Sequence, residues 1–134
     1  MKNKKNILIT GGVGFIGSNL AERLEKDGHN VISIDNYSFG KKENEHKNVK
    51  YINDDLENIH RINESIDICY HLAAKARVQP SFADTVDYFR VNAKGTMEVM
   101  EWAKKNNVKV VYAGSSSKHF SPEDSPYAMY KYLG

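Results

Sequence analysis

The sequence predicts a single α/β domain in which helices cover both faces of a doubly wound parallel sheet. Its 134 residues suffice for one hydrophobic core but not for two. Apolar residues make up 40% and charged residues 27%, which is typical of a folded globular protein. Short apolar runs alternate with segments of helical period along the chain. Because strands joined by crossover helices pair in parallel, this alternation predicts the fold class.

Five predicted strands alternate with four predicted helical segments. The strands are Ile7–Thr10, Val31–Ile34, Val49–Ile52, Ile66–Leu72 and Val108–Ala113. The helical segments are Phe15–Lys26, the short Leu56–Ile62, the long Asp84–Asn106 and Pro126–Gly134. A glycine after Asp27 ends the first helix, and a serine before Pro126 is expected to cap the last one.

The first helix carries an apolar face, because Phe15, Ile16, Leu20 and Leu24 recur at helical spacing. The polar segment 36–48, which follows the second strand, is predicted to be a loop. The sequence ends within the last predicted helix, and we expect further strands beyond that point. The 134 residues are therefore interpreted as one incomplete domain.

Composition excludes several classes of protein. A net charge of +2 does not argue for a nucleic-acid or membrane partner, and we expect neither. The basic residues at the N-terminus precede only Ile7–Ile9 before glycines intervene, which is too short for a signal peptide. The single cysteine, Cys69, excludes an internal disulfide and is predicted to be a buried thiol. These features favour a cytoplasmic protein.

Three glycines follow the first strand and begin the first helix. In this context Gly11 allows a tight turn, Gly14 allows the backbone to approach a pyrophosphate, and Gly17 allows the helix to pack closely on the strand. The helix N-terminus then offers free N–H groups to the phosphates. A purely structural turn is the alternative interpretation of this motif.

Asp35 closes the second strand eighteen positions after Gly17, near the offset of ~20 residues expected for a ribose-binding acid. Its carboxylate would accept hydrogen bonds from the ribose hydroxyls and would repel a 2′-phosphate, which favours NAD over NADP. Lys41 and Lys42 offer an alternative phosphate contact, but their place in a polar loop favours solvation.

These motifs and several others occur together in one order. They are Thr10–Gly17, Asp35-Asn36, Asp54-Asp55-Leu56, His71-Leu72-Ala73-Ala74, Asn92 with Gly95-Thr96, a serine cluster, and Tyr127 with Lys131. The chain resembles, over nearly its whole length, the extended short-chain dehydrogenase/reductases, specifically the NAD-dependent nucleotide-sugar epimerase/dehydratase family. The resemblance implies a Rossmann fold that is followed in the family by a substrate domain, which we expect to be absent here.

The resemblance also implies a set of cofactor-binding residues. Asp55 and Leu56 would border the adenine ring, while Ala73, Ala74 and Asn92 would line the path toward the nicotinamide. The complete predicted set is Gly11, Gly14, Phe15, Ile16, Gly17, Asp35, Asn36, Asp55, Leu56, Ala73, Ala74, Asn92, Tyr127 and Lys131.

Tyr127 and Lys131 lie four positions apart on a predicted helix and so share one face. A free tyrosine has a pKa of roughly 10, which is too high for a base at neutral pH. A neighbouring ammonium favours the phenolate, and Tyr127 could then remove a proton from a sugar hydroxyl. Lys131 would also hold the nicotinamide ribose. Ser115, which follows the fifth strand, is the preferred partner for the reacting hydroxyl, with Ser116 as a secondary candidate.

The family pattern favours an epimerase. In dehydratases of the family an acidic pair follows the matching serine, whereas Ser116 and Ser117 occupy those positions here. Val78 and Ser81 resemble the loop that lines the sugar pocket in UDP-hexose 4-epimerases, which points to a UDP-sugar substrate. The segment 118–120 departs from the family pattern, and activity of the chain by itself is left open.

Three alternatives remain beside the epimerase. They are a non-catalytic NAD-binding protein, a dehydratase or reductase of the same family, and a subunit that is completed by a second chain. The resemblance further implies a homodimer that pairs through the helix 84–106 and the helix beginning at Pro126. The histidines lack metal-ligand spacing, and no metal site is predicted.

Overall fold

A computed structural model describes residues 3–115 and 121–134. Its sheet contains the strands β1 (Asn6–Thr10), β2 (Asn30–Asp35), β3 (Lys50–Asn53), β4 (Ile68–His71) and β5 (Lys109–Tyr112). All four neighbouring pairs are parallel, and the strand order is β3-β2-β1-β4-β5. The order reverses between β1 and β4, where open α/β sheets place ligands. The predicted fold class is confirmed.

The helices agree with the predicted segments in all but two respects. They are α1 (Phe15–Lys26), α2 (Gln79–Ala83), α3 (Thr85–Tyr88), α4 (Gly95–Asn106) and α5 (Pro126–Leu133), with 3₁₀ turns at Lys42–Asn44, Leu56–Arg61 and Pro122–Asp124. A π-helical segment, Phe89–Lys94, interrupts the predicted long helix. The short helix α2 was predicted as a loop, because five residues are too few for a helical period to be recognised.

Both faces of the sheet are buried, as a doubly wound fold requires. Leu8, Ile32 and Cys69 pack with Trp102 of α4 on one face. Ile7 and Ile9, which point the other way along β1, pack with α1 on the opposite face. Cys69 is fully buried, as predicted, and burial raises the pKa of its thiol to about 12.

One expectation about α1 is wrong, whereas the predicted loop after β2 is confirmed. Phe15 and Ile16 do not join the buried face of α1, since they are 85% and 68% exposed. The polar segment 36–48 is a loop with one 3₁₀ turn, and side-chain hydrogen bonds hold it against the glycine loop and α1. The side-chain amide of Asn44 donates to the Val13 carbonyl (2.8 Å), and the His46 ring contacts the Ser18 carbonyl (3.0 Å).

Within the described ranges 3–115 and 121–134, no helix is long and apolar enough to cross a membrane.

Candidate cofactor and catalytic site

The glycine loop is shaped by close approaches that exclude larger side chains. Gly11 adopts φ +79°, a conformation that favours glycine, and a Cβ there would lie 2.9 Å from the Ala73 nitrogen. A Cβ on Gly17 would lie only 2.0 Å from the Gly11 carbonyl oxygen, so α1 packs against the turn itself. Gly14 begins α1 without a side-chain cap. The first-turn N–H groups therefore remain available to an anion.

Asp35 stands where β2 ends, beside the glycine loop. Its carboxylate accepts hydrogen bonds from the backbone N–H of Val13 (3.2 Å) and of Tyr37 (2.9 Å). Each oxygen keeps a lone pair for a further donor such as a ribose hydroxyl. The carboxylate thus has the position and the free acceptor capacity that a ribose requires.

A cleft opens from the glycine loop across the carboxyl ends of β1, β2 and β4. Residues from five segments line it: Gly11, Gly14, Ile34, Asp35, Asn36, Ser38, Phe39, Gly40, Asp54, Asp55, Leu56, Glu57, Leu72, Ala73, Ala74, Lys75, Arg90 and Val91. The cleft thus brings together eight of the predicted cofactor residues, from Gly11 to Ala74. Lys41 and Lys42 do not line it, and their side chains are exposed.

Polar side chains connect along the rim of the cleft. The Asn36 amide donates to the Asp55 carboxylate (2.8 Å), and the Arg90 guanidinium lies 3.7 Å from Asp55 and from Glu57. Arg90 also bonds Asp87 at 2.9 Å. Sequence reasoning did not single out Arg90, because its partners at the cleft, Asp55 and Glu57, lie far away along the chain.

A buried network supports the wall of the cleft that is formed by residues 72–75. The Thr10 hydroxyl accepts from the backbone N–H of Leu72 (3.1 Å) and of Ala73 (3.0 Å), so its own proton goes to His71 Nδ1 (2.7 Å). His71 therefore carries its proton on Nε2, which donates to the Thr96 hydroxyl (2.9 Å). Burial lowers the pKa of His71 to about 4, which keeps the ring neutral.

The same network reaches Asn92, which lies in the π-helical segment. The Thr96 hydroxyl donates to the Asn92 carbonyl (2.8 Å). The buried Asn92 side chain accepts from the Lys75 N–H (2.8 Å) and donates to the Lys75 carbonyl (3.0 Å). Asn92 therefore does not line the cleft; its amide holds the backbone of the residues that do. The Lys75 ammonium bonds Asp84 and Asp87.

The helix α5 places Tyr127 and Lys131 next to the end of β5. The Lys131 ammonium donates to the Ala113 carbonyl (2.9 Å) and lies 4.6 Å from the centroid of the Tyr112 ring. Burial lowers the pKa of Lys131, and the nearby Tyr127 phenol acts against that shift. Since Ala113 precedes the half-buried Ser115 by two residues, this bond ties α5 to the strand end that carries Ser115.

The two predicted sugar-contacting residues have different environments. Val78 is 42% exposed beside α2. Ser81 is fully buried, and its hydroxyl donates to the Val78 carbonyl (2.5 Å) and accepts from the Tyr127 N–H (3.1 Å). Both hydrogen bonds of the Ser81 hydroxyl are thus made within the protein. Ser116, Ser117 and the segment 118–120 lie outside the described residues.

Among the described residues no cluster of histidine, cysteine, aspartate and glutamate could hold a metal ion. The glycine turn, the strand-end acid and the cleft at the reversal of strand order define a dinucleotide-binding Rossmann domain. Comparison with known proteins assigns the family.

The model of the NAD dependent epimerase/dehydratase family matches residues 7–132, and the chain belongs to this family. UDP-glucuronic acid decarboxylase 1 of Danio rerio is 34% identical over 130 residues, 93% of this chain and 31% of that protein. A putative UDP-glucose 4-epimerase of Methanocaldococcus jannaschii is 31% identical over 96% of this chain and 48% of that protein. The solved UDP-glucose 4-epimerase of Thermotoga maritima, at 31% identity, has a TM-score of 0.89 over 95% of this chain and 48% of that one.

These comparisons confirm the predicted family and its cofactor, NAD. The chain spans less than half the length of each of these relatives.

Proposed function

We propose that the chain is the cofactor-binding part of an NAD-dependent nucleotide-sugar epimerase, with a UDP-hexose as the favoured substrate. The observation that carries the proposal is the bond from the Lys131 ammonium to the Ala113 carbonyl. It joins the helix that bears Tyr127 to the strand end that bears Ser115. This contact supports a site in which Tyr127 acts as the base, Lys131 as the cation and Ser115 as the hydroxyl donor at the carboxyl edge of the sheet.

In the proposed reaction, Tyr127 removes the proton of a sugar hydroxyl that Ser115 holds by a hydrogen bond. Bound NAD supplies an acceptor for the hydride that leaves the same carbon. The Lys131 ammonium stabilises the phenolate of Tyr127 and donates to the ribose of the cofactor. If the sugar turned before the hydride returned, the configuration of that carbon would be inverted.

The residues around the cleft fit NAD. The uncapped start of α1 would hold the pyrophosphate, and Asp35 would hold the adenosine ribose. Asn36, Asp55 and Leu56 would border the adenine, and Ala73 and Ala74 would lie along the path to the nicotinamide. The backbone N–H groups of Phe15 and Ile16 belong to the first turn of α1, which explains why their exposed side chains are compatible with a cofactor role.

A second candidate function is decarboxylation of a UDP-uronic acid, which the name of the Danio rerio relative supports. Oxidation of the hydroxyl beside the carboxylate-bearing carbon gives a β-keto acid, which loses carbon dioxide readily. Tyr127, Lys131 and Ser115 would serve that oxidation equally well. A non-catalytic NAD-binding protein, and a dehydratase or reductase, are the remaining alternatives.

One experiment separates these functions. The protein is incubated with NAD and, in turn, with UDP-glucose, UDP-galactose and UDP-glucuronic acid, and the products are identified by proton NMR. We expect inversion at C4 of a UDP-hexose, with Tyr127→Phe as the inactive control. A UDP-pentose with release of carbon dioxide would instead identify a decarboxylase. NAD binding without any product would support the non-catalytic alternative.

We further propose that the protein is a cytoplasmic homodimer. An exposed apolar stripe runs along the helical segment 85–106 through Val86, Phe89, Met97 and Met100. The neighbouring α5 adds Leu133, which is 58% exposed. A pair of such faces would bury these side chains, in agreement with the four-helix contact predicted from the sequence.

A further inference from the structure

The first turn of α5 has a complete set of hydrogen-bond partners, and one of them comes from far away along the chain. Pro126 has no N–H, and the Ser125 hydroxyl caps the N–H of Ala128 (3.0 Å). The Ser125 carbonyl accepts from the N–H of Met129 (3.0 Å). The remaining donor, the N–H of Tyr127, bonds the Ser81 hydroxyl at 3.1 Å. The backbone of Tyr127, the residue proposed as the base, is thus held by the Ser81 hydroxyl of α2.

The hydrogen bonds around Ser81 allow only one orientation of its hydroxyl group. Its proton is donated to the Val78 carbonyl (2.5 Å), so a lone pair faces the Tyr127 N–H. The Ser81 carbonyl accepts from the Thr85 hydroxyl (2.9 Å), which links α2 to α3. Because Ser81 is fully buried, no water competes for its hydroxyl. The Ser81 hydroxyl, 46 residues away along the chain, therefore caps the N–H of Tyr127 in a fixed orientation.

The ring of Tyr127 is also contacted by this part of the chain. Tyr88, which is 1% exposed, donates its hydroxyl to the Ala76 carbonyl (2.7 Å). Its ring meets the Tyr127 ring edge-on, with centroids 6.5 Å apart and an angle of 79°. The backbone of Tyr127 and its ring are therefore both held by the segment 76–88.

We infer that Ser81 is a positioning residue for Tyr127 and sets the place of the phenol relative to a bound substrate. This role rests on the proposed function of Tyr127, and it replaces the direct contact with the sugar that the sequence predicted for Ser81. Loss of the cap would free the N–H of Tyr127 and let the start of α5 shift. A displacement of about 1 Å at a reacting group can cost roughly 100-fold in rate.

The test compares Ser81→Ala with Ser33→Ala in the protein with NAD and its nucleotide sugar. Ser33 is a matched control, since it is equally buried and its hydroxyl has no hydrogen-bond partner in the described part of the chain. For Ser81→Ala we expect kcat to fall about 10- to 100-fold, with KM and the NAD dissociation constant changed by less than about threefold. Ser81→Thr, which keeps the hydroxyl, should restore most of the loss.

A second readout does not depend on turnover. Tyrosine labelled with ¹³C at Cζ reports the environment of each phenol by NMR, and Tyr127→Phe assigns the signal. We expect Ser81→Ala to change the chemical shift of the Tyr127 signal, and Ser33→Ala to leave it unchanged. If the wild-type protein turns over no nucleotide sugar, the proposed function fails, while this measurement still tests the positioning role.

Two results would overturn the inference. One is a Ser81→Ala protein whose kcat and Tyr127 chemical shift match the wild type. The other is an equal loss of kcat in Ser33→Ala, which would mean that removing any buried hydroxyl lowers kcat, whether or not it contacts Tyr127. Should Ser81→Ala fail to fold, Tyr88→Phe releases the same segment at Ala76 and should move the Tyr127 signal in the same way.

Discussion

The buried His71 makes the stability of the protein depend on pH in a way that can be calculated. Burial, with a smaller contribution from Lys131, lowers the pKa of His71 from its ordinary value of 6.5 to about 4. Between these values the unfolded chain binds a proton that the folded chain does not. Stability is therefore fully present above pH 6.5 and is lost as the pH falls toward 4. Between pH 7 and pH 5 the loss is about 2 kcal/mol.

The assay is urea unfolding at several pH values, for the wild type and for His71→Gln. The variant is less stable at pH 7 because it disturbs the bonds to Thr10 and Thr96, but it lacks the titrating group. Its free energy of unfolding should fall by about 2 kcal/mol less than that of the wild type between pH 7 and pH 5. The other four histidines contribute to both proteins and cancel in the difference. Equal pH dependence in the two proteins, or an NMR titration of His71 near 6.5, would refute the buried neutral ring.

Three further predictions concern the cofactor and the helix face. Asp35→Ala should weaken NAD binding by about tenfold or more in calorimetry, whereas Asp27→Ala, which removes a carboxylate paired with Arg23 at the end of α1, should not. Gly17→Ala should lower the free energy of unfolding by about 1–3 kcal/mol and weaken NAD binding, because the added Cβ would meet the Gly11 carbonyl. Gly114→Ala is the control, since a Cβ at that position meets no atom within 4 Å. Met97→Glu should shift sedimentation toward the monomer, and an unchanged profile would count against the proposed dimer face.

The sequence was sufficient for the fold because the signals that specify it are local. Alternating apolar runs located all five strands to within about two residues, the usual scatter at element ends. The bounds of α1 were predicted without error, since glycines frame both of its ends. The π-helical segment was not predictable. Asn92 in this segment bonds Lys75, and a partner 17 positions away cannot be recognised from helical periodicity.

In the candidate site, too, local features were predicted from the sequence and long-range contacts were not. Gly11, Gly17 and Asp35 were identified correctly as features of the backbone, because a short segment of sequence fixes a turn and a strand end. Asn92 and Ser81 were assigned to ligands, whereas the structure uses both for contacts inside the protein. Residue type indicates that a side chain can form hydrogen bonds, but the choice between a ligand and a distant backbone group is made by tertiary packing.

If the proposed function is correct, the internal contacts of Asn92 and Ser81 would hold the cofactor site and the proposed base at a fixed position relative to each other. Asn92 holds the wall of the cleft at Lys75, and Ser81 holds the start of α5 at Tyr127. Both contacts involve the stretch of chain that leaves β4 and runs through α2, so a shift of this stretch would move the cleft wall and the phenol together. Hydride and proton transfer from one carbon require the cofactor and the base to meet the same substrate. One stretch of chain that contacts both the cleft wall and Tyr127 would meet that requirement better than two separate stretches.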